Sequence, residues 1–154
     1  MRYTLLLLFV ISASCTTAQD AKPYCNEKYA FCLDYPHEQL TLQSAEEAFA
    51  TFSSADDAFK LTVKGYEKPE GWSLEDIYYM TFEDKLRRNP DLEIVNETFE
   101  EQAFELLYQE NEQLHYHQVF AKADTYVQLS LFLPKAQKQR FEALKAELEL
   151  SFDQ

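Results

Sequence analysis

The second half of the chain contains four consecutive segments in which apolar and polar residues alternate. A period of two indicates strands that have one face on a core and the other in water. Short polar stretches separate the segments, and such short connections join antiparallel neighbours, because parallel strands need a long crossover. The four predicted strands are Leu92–Thr98, Ala103–Glu110, Leu114–Ala121 and Tyr126–Leu133. The chain is therefore predicted to fold around an antiparallel sheet.

The last of these strands carries the strongest apolar face in the chain. Val127, Leu129, Leu131 and Leu133 occupy alternate positions. A strand with so apolar a face belongs near the centre of a sheet. We therefore predict that this strand is central and that a helix packs against it.

The first half of the chain adds further strands. Phe31–Tyr35 is predicted to be an apolar strand that ends at Pro36, since proline cannot donate to a ladder. Ala48–Ser53 and the alternating segment Phe59–Lys64 are joined by a short polar turn, which predicts an antiparallel hairpin. Residues 37–47 have no clear period and are predicted to be a loop with a helical turn.

Two amphipathic segments are predicted to be helices. The first covers Ser73–Arg88, where Ser73 and Asp76 have the spacing of a capping box, and its buried stripe is predicted to include Thr81. The second covers Lys135–Leu150. Together these elements predict an α+β fold, in which an antiparallel sheet of about six to seven strands has helices packed on its faces.

The N-terminal residues have the features of a secretory signal. Arg2 precedes the apolar run Leu5–Ile11, and small residues follow, in the usual order of charge, hydrophobic region and cleavage site. The run is too short for a permanent membrane span, which needs about 20 apolar residues. We predict cleavage after Ala18, so that residues 1–18 are a signal peptide. Residues 19–154 then form a single domain in the periplasm or envelope of a bacterium, or in the medium.

A second interpretation of the leader makes Cys15 a lipidation site. The segment ending at Cys15 is similar to a bacterial lipoprotein box, although Ser12 stands where that pattern has leucine. Either interpretation leaves Cys25 and Cys32 as one pair in an oxidising compartment. If the two face each other across a two-stranded turn, their separation suits a disulfide. A Cys25–Cys32 disulfide is therefore predicted, and two free buried thiols are the alternative.

Three stretches of the chain resemble bacterial relatives of the PsbP-like fold. They are AFCLDYP near the start, ATFSSADDAFKLTVKGY in the hairpin, and the final helix. The resemblance implies an antiparallel sheet with helices on its faces. It implies little about activity, because relatives include extrinsic subunits of photosynthetic complexes, a Ran-binding nuclear import factor and uncharacterised envelope proteins.

Composition excludes several functional classes. The net charge of −13 disfavours nucleic acid as a partner, because phosphate binding relies on clustered Lys and Arg. The chain has only two glycines, which excludes a Gly-rich phosphate loop. It also lacks a Gly-x-Ser-x-Gly elbow, and we assign no catalytic residue and no cofactor. The acidity is interpreted first as a source of solubility, and the alternative is that it steers association with a basic protein partner.

Two histidines lie two positions apart on one predicted strand. His115 and His117 would share a face, and Glu105 or Tyr108 on the neighbouring strand could approach them. A metal site needs a third or fourth ligand, which the local spacing does not supply. The two histidines are therefore predicted to be surface imidazoles, and no metal site is predicted.

The outer face of the sheet is the remaining candidate site. Aromatic and amide side chains would form a binding surface there if the first helix leaves it uncovered. The candidate residues are Tyr116, Gln118, Phe120, Tyr126, Gln128 and Phe132. The sequence thus favours a non-catalytic envelope protein that binds or helps assemble a macromolecular partner. The alternative is a hydrolase with dispersed carboxylates, which needs an acid and a base of separated pKa in one cleft.

Overall fold

The computed structural model describes residues 22–152, and its strands form two antiparallel sheets. The strands are β1 (Tyr24–Asn26), β2 (Phe31–Asp34), β3 (Thr41–Ala45), β4 (Phe49–Ser53), β5 (Lys60–Glu67), β6 (Leu92–Phe99), β7 (Ala103–Glu110), β8 (Gln113–Ala121), β9 (Thr125–Pro134) and β10 (Glu149–Phe152). The larger sheet has seven strands in the order β3-β4-β5-β9-β8-β7-β6, and the smaller has the order β1-β2-β10. The predicted α+β class is confirmed, and β9 lies at the centre of the larger sheet as predicted.

The first predicted helix is present but changes its geometry midway. It consists of α1 (Leu74–Tyr78), a π-helical turn (Tyr79–Glu83) and α2 (Asp84–Arg88), and we call the three together the interrupted helix. Ser73 and Asp76 form the predicted capping box. The π-helical turn keeps Phe82 buried while Thr81 is exposed, so the placement of Thr81 on the buried stripe was wrong.

The second helix begins as a 3₁₀ turn at Lys135–Gln137 and continues as α3 (Lys138–Glu147). It ends before the predicted limit at Leu150, because Leu148 has extended backbone and the following residues pair with β2. Within residues 22–152, no helix is both long and apolar enough to cross a membrane.

One face of the larger sheet, which we call the α3 face, carries the main core. Leu61 and Leu131 pair across β5 and β9 on this face, and both are completely buried. Phe141 and Leu144 of α3 belong to the same core, together with Phe31 of the smaller sheet. The smaller sheet and α3 therefore cover this face together.

The opposite face, which we call the α1 face, has a second core beneath the interrupted helix. Its buried residues are Leu74, Ile77, Phe82, Phe104, Leu106, Tyr108 and Val119. The sheet residues among them come from β7 and β8. The interrupted helix thus covers one half of this face, and the side chains of β4, β5 and β9 on the same face remain at least partly exposed, except for the buried Ser130.

Two strands lie where the sequence predicted none. Residues of β3 fall in the segment predicted to be a loop, and all five of them are exposed, so no buried face imposed an alternating pattern. The second unpredicted strand, β10, pairs with β2, which lies far away in the sequence. Its four residues alternate only between exposed and partly exposed positions.

The predicted disulfide joins β1 to β2. Cys25 and Cys32 are directly opposite each other, with 4.0 Å between their Cα atoms and 2.04 Å between their sulfur atoms. The same hairpin contributes Phe31 and Leu33 to the main core. The disulfide therefore holds together a hairpin that closes one side of the domain.

Replacing both cysteines by serine is expected to lower the free energy of unfolding by about 2.5 kcal/mol, the chain-entropy value for a loop of this size. Urea unfolding of the double variant Cys25→Ser, Cys32→Ser measures the loss. Reduction of the wild-type protein should reproduce it. Intact mass after alkylation without reductant provides the direct check, since labelling of both residues would contradict the bond.

Candidate functional site

An open cleft lies between the interrupted helix and the edge strand β6. It encloses about 500 Å³, and we call it the helix–strand cleft. Its apolar lining comes from both elements and comprises Tyr78, Tyr79, Leu86, Ile94 and Phe99. The cleft exists because the interrupted helix packs on β7 and β8, so that β6 projects beyond the region that the helix covers.

Several large apolar side chains around the cleft are exposed to solvent. Tyr79 is 55% exposed, Ile94 is 47% exposed and Phe99 is 44% exposed. Met80, also in the π-helical turn, is 70% exposed. Single exposed apolar residues are common, but a contiguous group around a concavity is a typical feature of an interaction site.

Aromatic packing fixes the wall of the cleft. The ring of Tyr78 makes edge-to-face contacts with Phe99 and Phe104, with centroid distances of 5.2 and 5.4 Å. Phe99 also packs on Phe104 at 5.4 Å. Tyr78 and Phe99 are thus held by the buried Phe104, and their exposed sides face the cleft as a preformed surface.

The charged lining of the cleft is predominantly acidic. Glu75, Glu83 and Glu97 contribute carboxylates, whereas Arg87 contributes the one guanidinium among the described lining residues. Arg87 forms an ion pair with Glu83, one helical turn away. The carboxylates of Glu75 and Glu97 therefore dominate the local charge.

Tyr78 links the aromatic wall to the acidic rim. Burial of its ring raises the pKa of the Tyr78 hydroxyl well above its ordinary value, and a hydrogen bond to Glu97 raises it further. The hydroxyl therefore stays protonated at any physiological pH and donates to the Glu97 carboxylate.

The strand β6 has a free edge in the part of the chain that the structure describes. It pairs with β7 on one side and ends the sheet on the other. The backbone N–H of Glu100 donates to the carbonyl of Ala103 at 2.8 Å, which fixes the pattern of bonds in this hairpin. Because such bonds alternate along an antiparallel pair, the backbone groups of Glu97 and Phe99 point away from β7.

The six residues of the predicted binding face do not form one surface. Residues directly opposite each other in an antiparallel pair lie on the same face, and Tyr116 is opposite Leu131 while Phe120 is opposite Val127. Tyr116, Gln118 and Phe120 therefore lie on the α3 face. Tyr116 is buried there against Phe141, with ring centroids 5.5 Å apart. The expectation of one shared outer face was wrong for these three residues.

The other three candidates lie on the α1 face, on the uncovered part formed by β9. Tyr126 stacks on Tyr66 of β5, with centroids 4.6 Å apart. Gln128 donates to the hydroxyl of Ser130 at 3.1 Å. Phe132 packs its ring edge against His115 at 5.3 Å. These residues lie beside the interrupted helix, away from the residues that line the helix–strand cleft.

His115 and His117 are buried on the α1 face, so their prediction as surface imidazoles was wrong. The ring of Tyr108 stacks on His115 at 4.7 Å, whereas Glu105 lies on the opposite face of the sheet. The His117 Nδ1 atom is 2.9 Å from the hydroxyl of Ser130. Burial lowers the pKa of His117 to about 3, so the ring is neutral.

His115 lies at the end of a polar network. Burial lowers its pKa, the ammonium of Lys85 lowers it further, and Glu110 acts in the opposite direction. Lys85 donates to the Tyr108 hydroxyl at 2.9 Å and pairs with Glu110 at 3.0 Å. No group of three His, Cys, Asp or Glu side chains that could hold a metal ion occurs within residues 22–152.

The residues of the helix–strand cleft were not singled out from the sequence, although one signal was present. Ile94 and Val95 are adjacent apolar residues within an alternating segment, and the register of β6 against β7 shifts at this point. Adjacent apolar residues in an otherwise alternating strand indicate a bulge, and bulges are frequent at sheet edges. Cys15 and the predicted signal peptide lie outside the described residues.

No protein-family model matches the chain, and no curated protein matches its sequence. Solved structures do match its fold. The solution structure of cyanobacterial PsbP (CyanoP) from Synechocystis sp. PCC 6803 has a TM-score of 0.60 at 16% identity, over 91% of this chain and 99% of that one. A crystal structure from Bacteroides thetaiotaomicron VPI-5482 has a TM-score of 0.51 at 13% identity, over 87% of this chain and 49% of that one.

Proposed function

From its PsbP-like fold and its open acidic cleft, we propose that this protein is an exported, non-catalytic envelope protein that binds or helps assemble a macromolecular partner. The helix–strand cleft is the proposed binding site. The observation that supports the proposal most directly is the group of exposed apolar side chains around a concavity of about 500 Å³ beside a free strand edge. The chemistry of this lining suits a protein segment.

The carboxylates of the cleft favour binding over hydrolysis. A hydrolase of the kind considered from the sequence needs an acid and a base that are free to act on a substrate between them. Glu83 is paired with Arg87, and Glu97 accepts the hydrogen bond of Tyr78. Two of the three lining carboxylates are thus engaged, and an open cleft with an aromatic lining matches a recognition surface better than an active site.

Export is the second part of the proposal. It rests on the predicted signal peptide at residues 1–18 and is supported by the Cys25–Cys32 disulfide, since such bonds persist in oxidising compartments. Cys15 is then either removed with the signal or lipidated. The intact mass of the protein from its native envelope distinguishes the two, because a lipidated form would begin at Cys15 and a cleaved form at Gln19.

Affinity capture from the native envelope extract tests the binding site. We expect that the double variant Ile94→Ser, Phe99→Ser weakens recovery of the partner at least about tenfold, since truncation of an interface anchor commonly costs 1 to 2 kcal/mol or more. Leu42→Ser is the matched control, because Leu42 is 40% exposed on β3 at the other edge of the sheet. Recovery should also fall as salt rises, if charge contributes to association.

Two results would contradict this proposal. The first is recovery of the same partners by the cleft variant and the wild-type protein. The second is turnover of a substrate by the pure protein that is abolished by Glu97→Gln or Glu75→Gln. That second outcome would favour the hydrolase.

A further inference from the structure

We propose that β6 binds an extended, basic segment of the partner as an additional antiparallel or parallel strand, with an apolar side chain of that segment inserted into the helix–strand cleft. This inference deepens the proposed function and rests on it, because it specifies the conformation and chemistry of the protein partner. Three features of the structure support it: the backbone of β6, the shape of the cleft, and the charge around it.

The backbone of β6 offers unused hydrogen-bonding groups. The strand has eight residues, and in the described part of the chain it pairs only with β7. Along β6, residues that bond to β7 alternate with residues that do not, and Glu100 bonds to Ala103. The backbone N–H and C=O groups of Glu97 and Phe99 therefore point to the free side. A free edge of this kind pairs readily with an extended segment, which is the mode of peptide recognition called strand addition.

The cleft lies where the side chains of an added strand would point. Ile94 is opposite Tyr108 and Phe99 is opposite Phe104, so both lie on the α1 face, as the interrupted helix does. Every second side chain of an added strand would also point to that face. One of them would meet the exposed parts of Ile94, Phe99 and Tyr79, which line the cleft.

Charge selects the partner's chemistry. A side chain two positions from the apolar anchor on the same face of the added strand would lie near Glu75 or Glu97, so lysine or arginine is favoured there. The strand β6 carries Glu93 and Glu97 and no basic residue, so a second copy of β6 would add further carboxylates to an edge that is already acidic, and like charges on neighbouring strands are destabilising. The acidic edge therefore disfavours self-association and favours a basic segment.

The other free edge of the larger sheet, β3, lacks the cleft and the acidic side chains. The strand β3 has five residues, and Leu42 is its one large apolar side chain with substantial exposure. None of the described residues that line the helix–strand cleft belongs to it. For this reason β6 is the edge to which we assign the partner, and β3 provides an internal comparison.

The experiment uses the full mature chain and short synthetic peptides as probes. The basic peptide has Lys, Leu and Lys at alternate positions, with Thr at the others. An acidic peptide replaces each Lys by Glu. Two further peptides are N-methylated, one on the amides of the Lys and Leu residues and the other on the amides of the Thr residues. Affinities are measured by fluorescence anisotropy, and protection of individual amides by hydrogen exchange.

We expect the basic peptide to bind and to slow hydrogen exchange at the Glu97 and Phe99 amides, with the amides of β3 unchanged. One N-methylated peptide should bind at least about tenfold more weakly than the other, because only alternate amides of an added strand face β6. The acidic peptide should not bind measurably.

The double variant Glu75→Gln, Glu97→Gln should bind the basic peptide several-fold more weakly at low salt. The variant Glu27→Gln, which changes an exposed glutamate elsewhere, is the control and should bind as the wild-type protein does.

Equal affinities of the two N-methylated peptides, or no protection at Glu97 and Phe99, would overturn strand addition. If partner capture still depended on Ile94 and Phe99 in that case, the proposed function would stand and only its mode would be wrong. A dimer of the free protein that protects the same amides without peptide would also overturn the assignment. Capture that is insensitive to the cleft variant would contradict the proposed function itself, whatever the peptides do.

Discussion

Acidification from pH 6.5 to pH 4 is expected to destabilise the protein through His117. Burial lowers the pKa of His117 from 6.5 to about 3, so the folded state does not bind a proton over this range whereas the unfolded state does. The free energy of unfolding is therefore fully maintained above pH 6.5 and decreases as pH falls, by about 1.4 kcal/mol per pH unit for this one group. The loss continues until the folded state also takes up the proton, near pH 3.

The surroundings of His117 explain why protonation is so unfavourable. The ring lies among Phe82, Tyr108 and Phe132, and Lys85 adds a positive charge nearby. In the part of the chain that the structure describes, its Nε2 atom has no hydrogen-bond partner. A proton on that nitrogen would be a buried donor without an acceptor, which costs free energy in addition to burial of the charge.

Urea unfolding at a series of pH values measures this effect. The variant His117→Gln removes the titrating ring, and Gln can still form a hydrogen bond to Ser130, whose hydroxyl is 2.9 Å from His117 Nδ1. The wild-type protein should lose stability more steeply than the variant between pH 6 and pH 4, by a total of about 2 to 3 kcal/mol. The carboxylates titrate in both proteins, so their contribution cancels in the difference. Parallel curves would contradict the prediction, and His37→Gln controls for loss of an imidazole elsewhere.

Local sequence patterns predicted the elements that bury one face or that begin with a capping motif. The central strand β9 was predicted because Val127, Leu129, Leu131 and Leu133 are all buried on one face. The start of the interrupted helix was predicted because Ser73 and Asp76 satisfy its first backbone N–H groups. In each case the predictive signal, an alternating apolar pattern or a capping pair, lies within a few residues of sequence.

Contacts between distant residues were not predictable in the same way. Alternation divides each strand into two sets of side chains, but only the register between strands decides which sets share a face. Tyr116 pairs with Leu131 and not with a neighbour such as Phe132. For this reason half of the candidate residues lie on the α3 face and not on the face where they were predicted to be exposed. The strand β10 depends in the same way on its pairing with β2.

The helix–strand cleft illustrates a further limit. It depends on how far β6 extends beyond the helix and on the π-helical turn that directs Tyr79 outward. Neither property follows from the composition of one segment. Such π-helical turns are rare and are frequently found at functional sites, and an exposed aromatic residue within one is a feature that only the assembled fold makes visible.

Gly65→Ala is expected to be severely destabilising, by about 3 kcal/mol or more, which is the upper end of the range for overpacking a core. A Cβ atom at position 65 would lie 2.2 Å from Cγ and 2.7 Å from Cβ of Tyr29. Tyr29 is buried in the main core, and the atoms in conflict are close to its backbone, so a side-chain rotation cannot relieve the contact. The backbone of the hairpin between β1 and β2 or that of β5 would have to move.

A double-mutant cycle identifies the cause of this loss. Tyr29→Ala alone should be destabilising because it leaves a cavity, by about 3 to 5 kcal/mol if it behaves like a Phe→Ala change. In the Tyr29→Ala background, however, Gly65→Ala should cost less by about 1 kcal/mol or more, since the two closest atoms, Cγ and Cδ2, are gone and only Cβ remains at 2.7 Å. Gly71→Ala is a contrasting control, because a Cβ there meets nothing within 4 Å and only its φ of +80° opposes the change.

An equal cost of Gly65→Ala in both backgrounds would show that the glycine is required by its own backbone and not by the ring of Tyr29. Urea unfolding of the four proteins of the cycle therefore decides whether the close approach of Tyr29 to β5 is the reason that position 65 must be glycine.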